Sequence, residues 1–472
     1  MINFKRVLIL IAVLLIAGLS LGDFHSTGVA KDNIYESIKI FSDALNIVQQ
    51  HYYVEEDKLE AKELIYGAIK GMLSTLDDPH TRFMTPEVHK EMKVETEGSF
   101  GGLGIVIGIK DDRLTVISPI EGTPAYEAGV KAGDWIVEIE GQSTKDIDLN
   151  EAVQKLRGPK GTKVTIAVKR RGIEETLSFT ITRDIIEIKS VKSDIIEGKI
   201  GYIRITTFSQ HTEKELSDAL KEVIDVGKAE SFILDLRNNP GGLLNAAVDV
   251  SDKFLDAGII VSTRGRDVRQ NQEYPARVGN SYLTQPMVVL INHGSASASE
   301  IVTGAIKDNK RGVVVGEKSF GKGSVQTVLP LSDGSAIAIT TAKYYTPGGS
   351  SIHGKGIEPD IEVESVEWEE EDQKSMQKLR EGKFVENFTL EHNPYTEEQF
   401  SQFMKELSAN GVTLKEKWIR KLTDKELRRL SGKQDPIYDL ETDPQLKNAV
   451  DLLVASQIFE GRTVIQGKEV KR

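Results

Sequence analysis

The chain has 472 residues, enough for several domains, and its 39% hydrophobic and 28% charged content is ordinary for a soluble protein. The formal net charge of −12 is spread along the chain and argues against the basic face of a nucleic-acid binder. Cysteine is absent, which excludes disulfides, a thiol nucleophile, cysteine metal sites and a lipoprotein anchor.

At the N-terminus, Lys5 and Arg6 precede an uncharged apolar run over residues 7–22. That is the pattern of a signal peptide or a short N-terminal anchor. The run is shorter than the ~20 residues of a comfortable membrane span. Gly28-Val29-Ala30 is the best candidate cleavage site. In either case the remainder is expected to be exported, membrane-anchored or secreted.

Residues 32–94 read as helical, with Ile34, Ile38, Phe41, Leu45 and Val48, then Leu64, Ile65, Ile69 and Leu73, at helical spacing. From about 96 to 184 the chain reads as a compact β-rich module. Gly101-Gly102-Leu103-Gly104 is expected to be a glycine-rich loop, followed by strands over 105–107, 114–117, 136–139 and 163–169 and a helix over 149–156. From 200 to 363 the pattern becomes α/β, with apolar strands expected at 202–205, 232–236, 287–291, 313–315 and 336–340 and helices at 213–226 and 246–254. The charged tail reads as helical. The expected fold is therefore an α+β multidomain chain. Its parts are an export segment (1–30), a helical N-terminal region (31–95), the β-rich domain (96–184), an α/β core (185–365) and a helical C-terminal region (366–472).

Three segments suggest chemistry. In Ile291-Asn292-His293-Gly294-Ser295-Ala296-Ser297-Ala298-Ser299-Glu300 an apolar strand ends in a turn of small residues and a helix follows. A serine at such a turn presents its oxygen, and N–H groups at the helix start can face an oxyanion. Taken alone, the segment also reads as a serine-rich helix cap. In Phe320-Gly321-Lys322-Gly323-Ser324-Val325-Gln326, glycines bracket a lysine and let backbone approach it. A neutral lysine can take the proton of a serine hydroxyl, although most lysines are solvated surface charges. In Asp235-Leu236-Arg237-Asn238-Asn239-Pro240-Gly241-Gly242 a strand runs into a Pro-Gly-Gly turn whose N–H groups could donate to an oxyanion. Its plain reading is an ordinary strand–helix connection.

Together these segments resemble the carboxyl-terminal processing peptidases, or tail-specific proteases. Tyr344-Tyr345-Thr346-Pro347 and Gly354-Lys355-Gly356-Ile357-Glu358-Pro359-Asp360 resemble a further signature of that family. The resemblance covers roughly residues 35–365. It implies a serine endopeptidase with Ser297 as nucleophile, Lys322 as general base and Gln326 orienting the lysine. It implies oxyanion donors at Ala298 and at Gly241 or Gly242, and it leaves Ser295 and Ser299 as turn and cap residues. One departure is Ser350-Ser351, where the family pattern has an arginine.

The β-rich module resembles a PDZ domain. The resemblance implies that the N–H groups of Gly101, Gly102, Leu103, Gly104 and Ile105 hold a peptide's C-terminal carboxylate, with the following strand pairing to the peptide. It also links Arg157 to coupling between this domain and the active site. The implied partners are protein or peptide substrates with free C-termini. No nucleic acid, metal or cofactor is implied. Membrane association rests on the N-terminal segment, and a homodimer is an expectation from resemblance. A Ser–His–Asp site using His293, His211 or His353 with Asp235 is the competing mechanism, and nothing in the histidine spacing supports it. A non-catalytic PDZ scaffold is the competing function.

Overall fold

The computed structural model describes residues 28–53, 60–110, 112–197, 199–279, 282, 284–366 and 368–469. The expected signal or anchor run at 7–22 lies outside them. Among the described residues no helix is long and apolar enough to cross a membrane.

The chain divides into two compact units, Met1–Thr85 with Pro330–Ala338, and Pro86–Leu329 with Ile339–Arg472. The first contains helices α1 (Gly28–His51) and α2 (Ala61–Ser74) and strand β1 (Arg82–Met84). β1 pairs antiparallel with Ala336–Ala338. Its small core packs Tyr66, Leu73 and Phe83 against Ile69 and Ile337.

The second unit opens with α3 (Pro86–Glu97) and β2 (Ser99–Gly102). The β-rich domain follows as β3 (Ile105–Lys110), β4 (Arg113–Pro119), α4 (Pro124–Glu127), β5 (Trp135–Ile139), β6 (Gln142–Ser143), α5 (Leu149–Leu156), β7 (Lys163–Lys169) and β8 (Leu177–Thr182). Its sheet order is β3-β4-β5-β7-β8, with β6 paired to β5. Alternating residues of β7, Val164, Ile166 and Val168, enter a core with Leu114, Val116, Ile136 and Leu156, as a one-sided sheet requires. β9 (Asp184–Glu187) then returns along β2 with Gly101 opposite Ile185 and Gly102 opposite Asp184. Gly101 and Gly102 therefore lie in a strand, and the expected glycine loop reduces to Leu103 and Gly104. A run of two glycines reads as a loop, but here the missing side chains admit a neighbouring backbone. A Cβ on Gly101 would lie 2.1 Å from Gly158 O.

The α/β core contains β10 (Val191–Ile196), β11 (Ile200–Ile205), α6 (Thr212–Leu220), β12 (Ser231–Asp235), α7 (Leu244–Asp252), β13 (Ile259–Gly265), β14 (Gln272–Pro275), β15 (Met287–Ile291), α8 (Ala298–Asp308), β16 (Val313–Gly316), β17 (Ser324–Pro330), β18 (Ala336–Tyr345) and β19 (Ile361–Glu362). The main sheet runs β10-β11-β12-β15-β16-β19 and is parallel except for β10 against β11. β12 and β15 are buried at every residue because both faces of the sheet are covered. Residues of α6, α7 and α8 cover one face. Leu446, Ala449, Val450 and Leu453 cover the other, from a C-terminal helix, Pro444–Glu469.

The strand expected at 336–340 extends to 345 and belongs to a separate sheet, whose residues 342–345 pair with β13. Its mixed burial reflects a sheet without cover on both faces. The tail adds α9 (Glu370–Glu381), α10 (Phe384–Glu391), α11 (Glu397–Ala409), α12 (Glu416–Leu430) and the C-terminal helix already given, α13. α9 to α12 share their own core around Phe388, Phe400, Phe403 and Ile419.

Candidate active site

Three connections leave the C-terminal ends of adjacent parallel strands, where open α/β sheets place their ligands. The turn after β12 carries Arg237 to Gly242, the turn after β15 carries Ser295 to Ser299, and the loop after β16 carries Lys322.

Ser297 sits immediately before α8 with φ 53° and ψ −109°. A positive φ is strained for a residue with a side chain, on the order of 1–3 kcal/mol, and persists only where the surroundings hold it. They do so through its two neighbouring serines. Ser295 Oγ donates to Leu236 O at 2.9 Å and accepts from Asn292 N at 3.0 Å. Ser299 Oγ donates to Asn239 O at 2.9 Å. Both outer serines are fully buried and committed to the turn after β12, whereas Ser297 is half-buried. The structure thus separates three serines that look alike in the sequence.

The same turn approaches Ser297 closely. A Cβ on Gly241 would lie 2.8 Å from Ser297 Cβ and 2.9 Å from Ala298 N, so only glycine fits there. The Gly241 N–H is already donated to Asn239 Oδ1 at 2.9 Å. The N–H groups of Gly242 and Ala298 make no hydrogen bond among the described residues. Of the expected oxyanion donors, these two are available in this conformation.

Lys322 is half-buried between glycines that accept close backbone contact. A Cβ on Gly323 would lie 2.1 Å from His353 N, and one on Gly321 would lie 3.1 Å from Gly356 N. The Gly354-Lys355-Gly356 signature therefore braces the lysine loop. Gln326, in β17, donates from Nε2 to Ser324 Oγ at 2.8 Å and to Thr340 Oγ1 at 3.3 Å. This orients its carboxamide and leaves Oε1 as an acceptor.

The residue that joins the pieces was not picked out from the sequence. Glu300 is fully buried in the first turn of α8. Its Oε2 accepts from Ser297 N at 2.8 Å and from Lys322 N at 2.9 Å, while Oε1 accepts from Gly321 N at 2.7 Å and Ser319 Oγ at 2.6 Å. One carboxylate therefore holds the main chains of the serine and the lysine together. Burial pushes the Glu300 carboxyl above the ordinary range, and these hydrogen bonds only partly offset it. The sequence signal was available, since Ser-x-x-Glu at a helix start is a capping-box pattern.

The histidines are placed elsewhere or differently. His293 is largely exposed, with Nε2 3.4 Å from Glu317 Oε2. Asp235 hydrogen-bonds to Tyr202 and Arg237, at 2.7 Å for Tyr202 Oη and for Arg237 Nη2. His353 contacts the lysine loop through its main chain, as above. Arg157 caps α5 and lays its guanidinium over the Phe100 ring at 4.6 Å, beside the β2–β9 ribbon. Among the described residues no group of three or more histidine, aspartate or glutamate side chains could hold a metal ion.

A serine at a strained strand–helix turn, next to free N–H groups and tied to a lysine loop, defines a hydrolase-like site on an α/β core beside a PDZ-like domain. The chain is similar to known families and proteins. Peptidase family S41 matches residues 199–363, a PDZ domain 115–170, and the Activating protease CtpB N-terminal domain 20–88. A carboxy-terminal-processing protease of Bartonella bacilliformis is 46% identical over 71% of this chain and 76% of its own length. A carboxyl-terminal-processing protease of Synechocystis is 43% identical over 65% of this chain and 72% of its own length. The solved photosystem II D1 C-terminal processing protease is 33% identical, with a TM-score of 0.40, over 69% of this chain and 92% of that one. The chain belongs to the carboxyl-terminal processing protease family, with an S41 peptidase core and a PDZ domain.

Proposed function

We propose that the chain is an exported serine endopeptidase that works by a Ser–Lys mechanism and recognises substrates through their C-termini. The observation that carries this reading is the Glu300 carboxylate shared between Ser297 N and Lys322 N. Ser297 Oγ attacks the substrate carbonyl while the neutral Lys322 amine takes its proton. The N–H groups of Ala298 and Gly242 receive the oxyanion. The Lys322 ammonium then protonates the leaving amine, leaving an acyl-enzyme at Ser297 that water hydrolyses by the reverse transfer. Gln326 Oε1 accepts from the lysine and orients it.

The PDZ domain is assigned the capture of substrate C-termini at Leu103, Gly104 and Ile105, where β3 offers an edge for the peptide. Arg157, at the base of this domain, is assigned the coupling of peptide binding to turnover. Export through residues 1–30, retention on the membrane by that segment and pairing of two copies through the helical ends complete the reading.

Purified variants tested on an unfolded protein substrate check the chemistry. Ser297→Ala and Lys322→Arg are expected to lose cleavage, because a guanidinium stays protonated at working pH. His293→Ala and His353→Ala are expected to keep the serine chemistry. Wild-type turnover in Ser297→Ala would end the serine reading, and loss of the chemical step in a folded His353→Ala enzyme would move the base to histidine.

A further inference from the structure

The S41 match ends at residue 363, yet the start of a helix well beyond it contacts the turn after β12. The connection runs through Arg237, which is 9% exposed and begins the turn bearing Gly241 and Gly242. Its Nε donates to Asp235 Oδ1 at 3.0 Å and its Nη2 to Asp235 Oδ2 at 2.7 Å, a two-point pairing with its own strand end. The far side of the guanidinium faces the start of α13. Nη1 donates to Asp443 Oδ1 at 2.8 Å and Gln445 Oε1 at 3.0 Å, and Nη2 lies 2.7 Å from Asp443 Oδ2.

Neither partner is explained by helix capping alone. Asp443 accepts from Leu446 N at 2.9 Å, which a serine or threonine would also do. It alone can offer two charged oxygens to Arg237 as well. Gln445 is 2% exposed and uses both ends of its carboxamide, since Nε2 donates to Val363 O at 2.8 Å. Val363 N in turn donates to Gly316 O at 2.9 Å, at the end of β16 where the lysine loop departs. The first turn of α13 thereby touches both arms of the site. The rest of the helix is seated by Leu446, Ala449, Val450 and Leu453 on the sheet.

We propose that Asp443 and Gln445 are positioning residues for the reaction: they complete the hydrogen bonding of Arg237 and so fix the turn that aims Gly242 N–H at the oxyanion. The proposal rests on the serine-peptidase reading above. The C-terminal helix is then part of the catalytic unit and not a detachable tail.

Full-length Asp443→Ala, Gln445→Ala, Asp443→Glu and the exposed-site control Lys447→Ala are compared for kcat, KM and thermal unfolding. Each is also titrated with a peptide aldehyde, which forms a tetrahedral adduct with the serine, and with the corresponding peptide amide, which does not. Asp443→Ala is expected to lower kcat about tenfold or more with little change in KM, because a small misplacement of oxyanion donors is costly. It should weaken the aldehyde about tenfold and the amide less than about twofold. Asp443→Glu should recover part of the loss, Gln445→Ala should show a smaller one, and Lys447→Ala none. If Asp443→Ala does not fold, the same pattern in Gln445→Ala decides. A folded variant with wild-type kcat, or one in which aldehyde and amide weaken equally, overturns the proposal. If the wild-type enzyme itself shows no preference for the aldehyde, or Ser297→Ala still cleaves, the serine reading fails instead and takes this inference with it.

Discussion

Asp235 and Glu300 are both fully buried carboxylates at strand or helix ends of the same core, yet their carboxyls are shifted in opposite directions. Burial raises the Asp235 carboxyl, but the fields of Arg237 and Arg204 and the hydrogen bonds from Arg237 and Tyr202 together outweigh it and hold the group below the ordinary range. Glu300 has hydroxyl and main-chain donors, and burial wins. Asp235 is thus one half of an ion pair that anchors a turn. Glu300 is a hub whose four accepted hydrogen bonds gather Ser297 and the lysine loop. A buried acid in this core can serve position without taking part in proton transfer, and its partner decides whether it behaves as a fixed charge or as a titratable joint.

The comparison is broken most directly at Glu300. Glu300→Gln keeps the shape but places an NH2 where an oxygen accepted main-chain N–H groups, so at least one arm must move. Activity is expected to fall about 10²-fold, the effect of roughly 1 Å of misplacement. Turnover close to wild type in a folded Glu300→Gln enzyme would remove the hub from the account.

Asp235→Asn is expected to show its main effect in stability. Breaking a buried pair costs about 3–5 kcal/mol, and the lower end applies here because Asp443 still faces Arg237. Urea unfolding measures it. A loss well under 1 kcal/mol would mean that the pair is not the anchor.

The smallest and sharpest contrast lies in pH dependence. A carboxyl lowered on folding contributes stability that is present above its unfolded value of 3.8 and is lost as pH falls. A carboxyl raised on folding contributes stability that is full below its unfolded value of 4.5 and is lost as pH rises through the folded value. Between about pH 3 and pH 7 the stability penalty of Asp235→Asn should therefore grow with pH, and that of Glu300→Gln should shrink. Penalties moving in the same direction would contradict the different partners assigned to the two acids.

These two residues also mark what was legible in the sequence. The segments around Ser297 and Lys322 stood out through short local patterns, small residues after an apolar strand in one case and paired glycines in the other, while the roles given to the two residues came from the family resemblance. The parallel strands were readable because burial on both faces demands continuous apolar runs. The strand β18 reads as part of that sheet because its first four residues, Ala336-Ile337-Ala338-Ile339, are also apolar, and only its later pairing with β13 assigns it elsewhere. Gly101 and Gly102 read as a loop because glycine marks turns, while here it admits a neighbouring backbone. The Arg237–Asp443 contact joins residues far apart in the chain, and no spacing rule reaches across two hundred positions. Glu300 was visible as a helix start, but its partners in the lysine loop were not.

The central claim is that Ser297 is the nucleophile and that Lys322 activates it. Its most direct test treats the full-length enzyme and Lys322→Arg with a mechanism-based serine reagent, followed by peptide mapping of the modified residue. The account predicts a single label on Ser297 in the wild-type protein and little or none in Lys322→Arg. A label on Ser295, Ser299 or another residue, or undiminished labelling of Lys322→Arg, would contradict it.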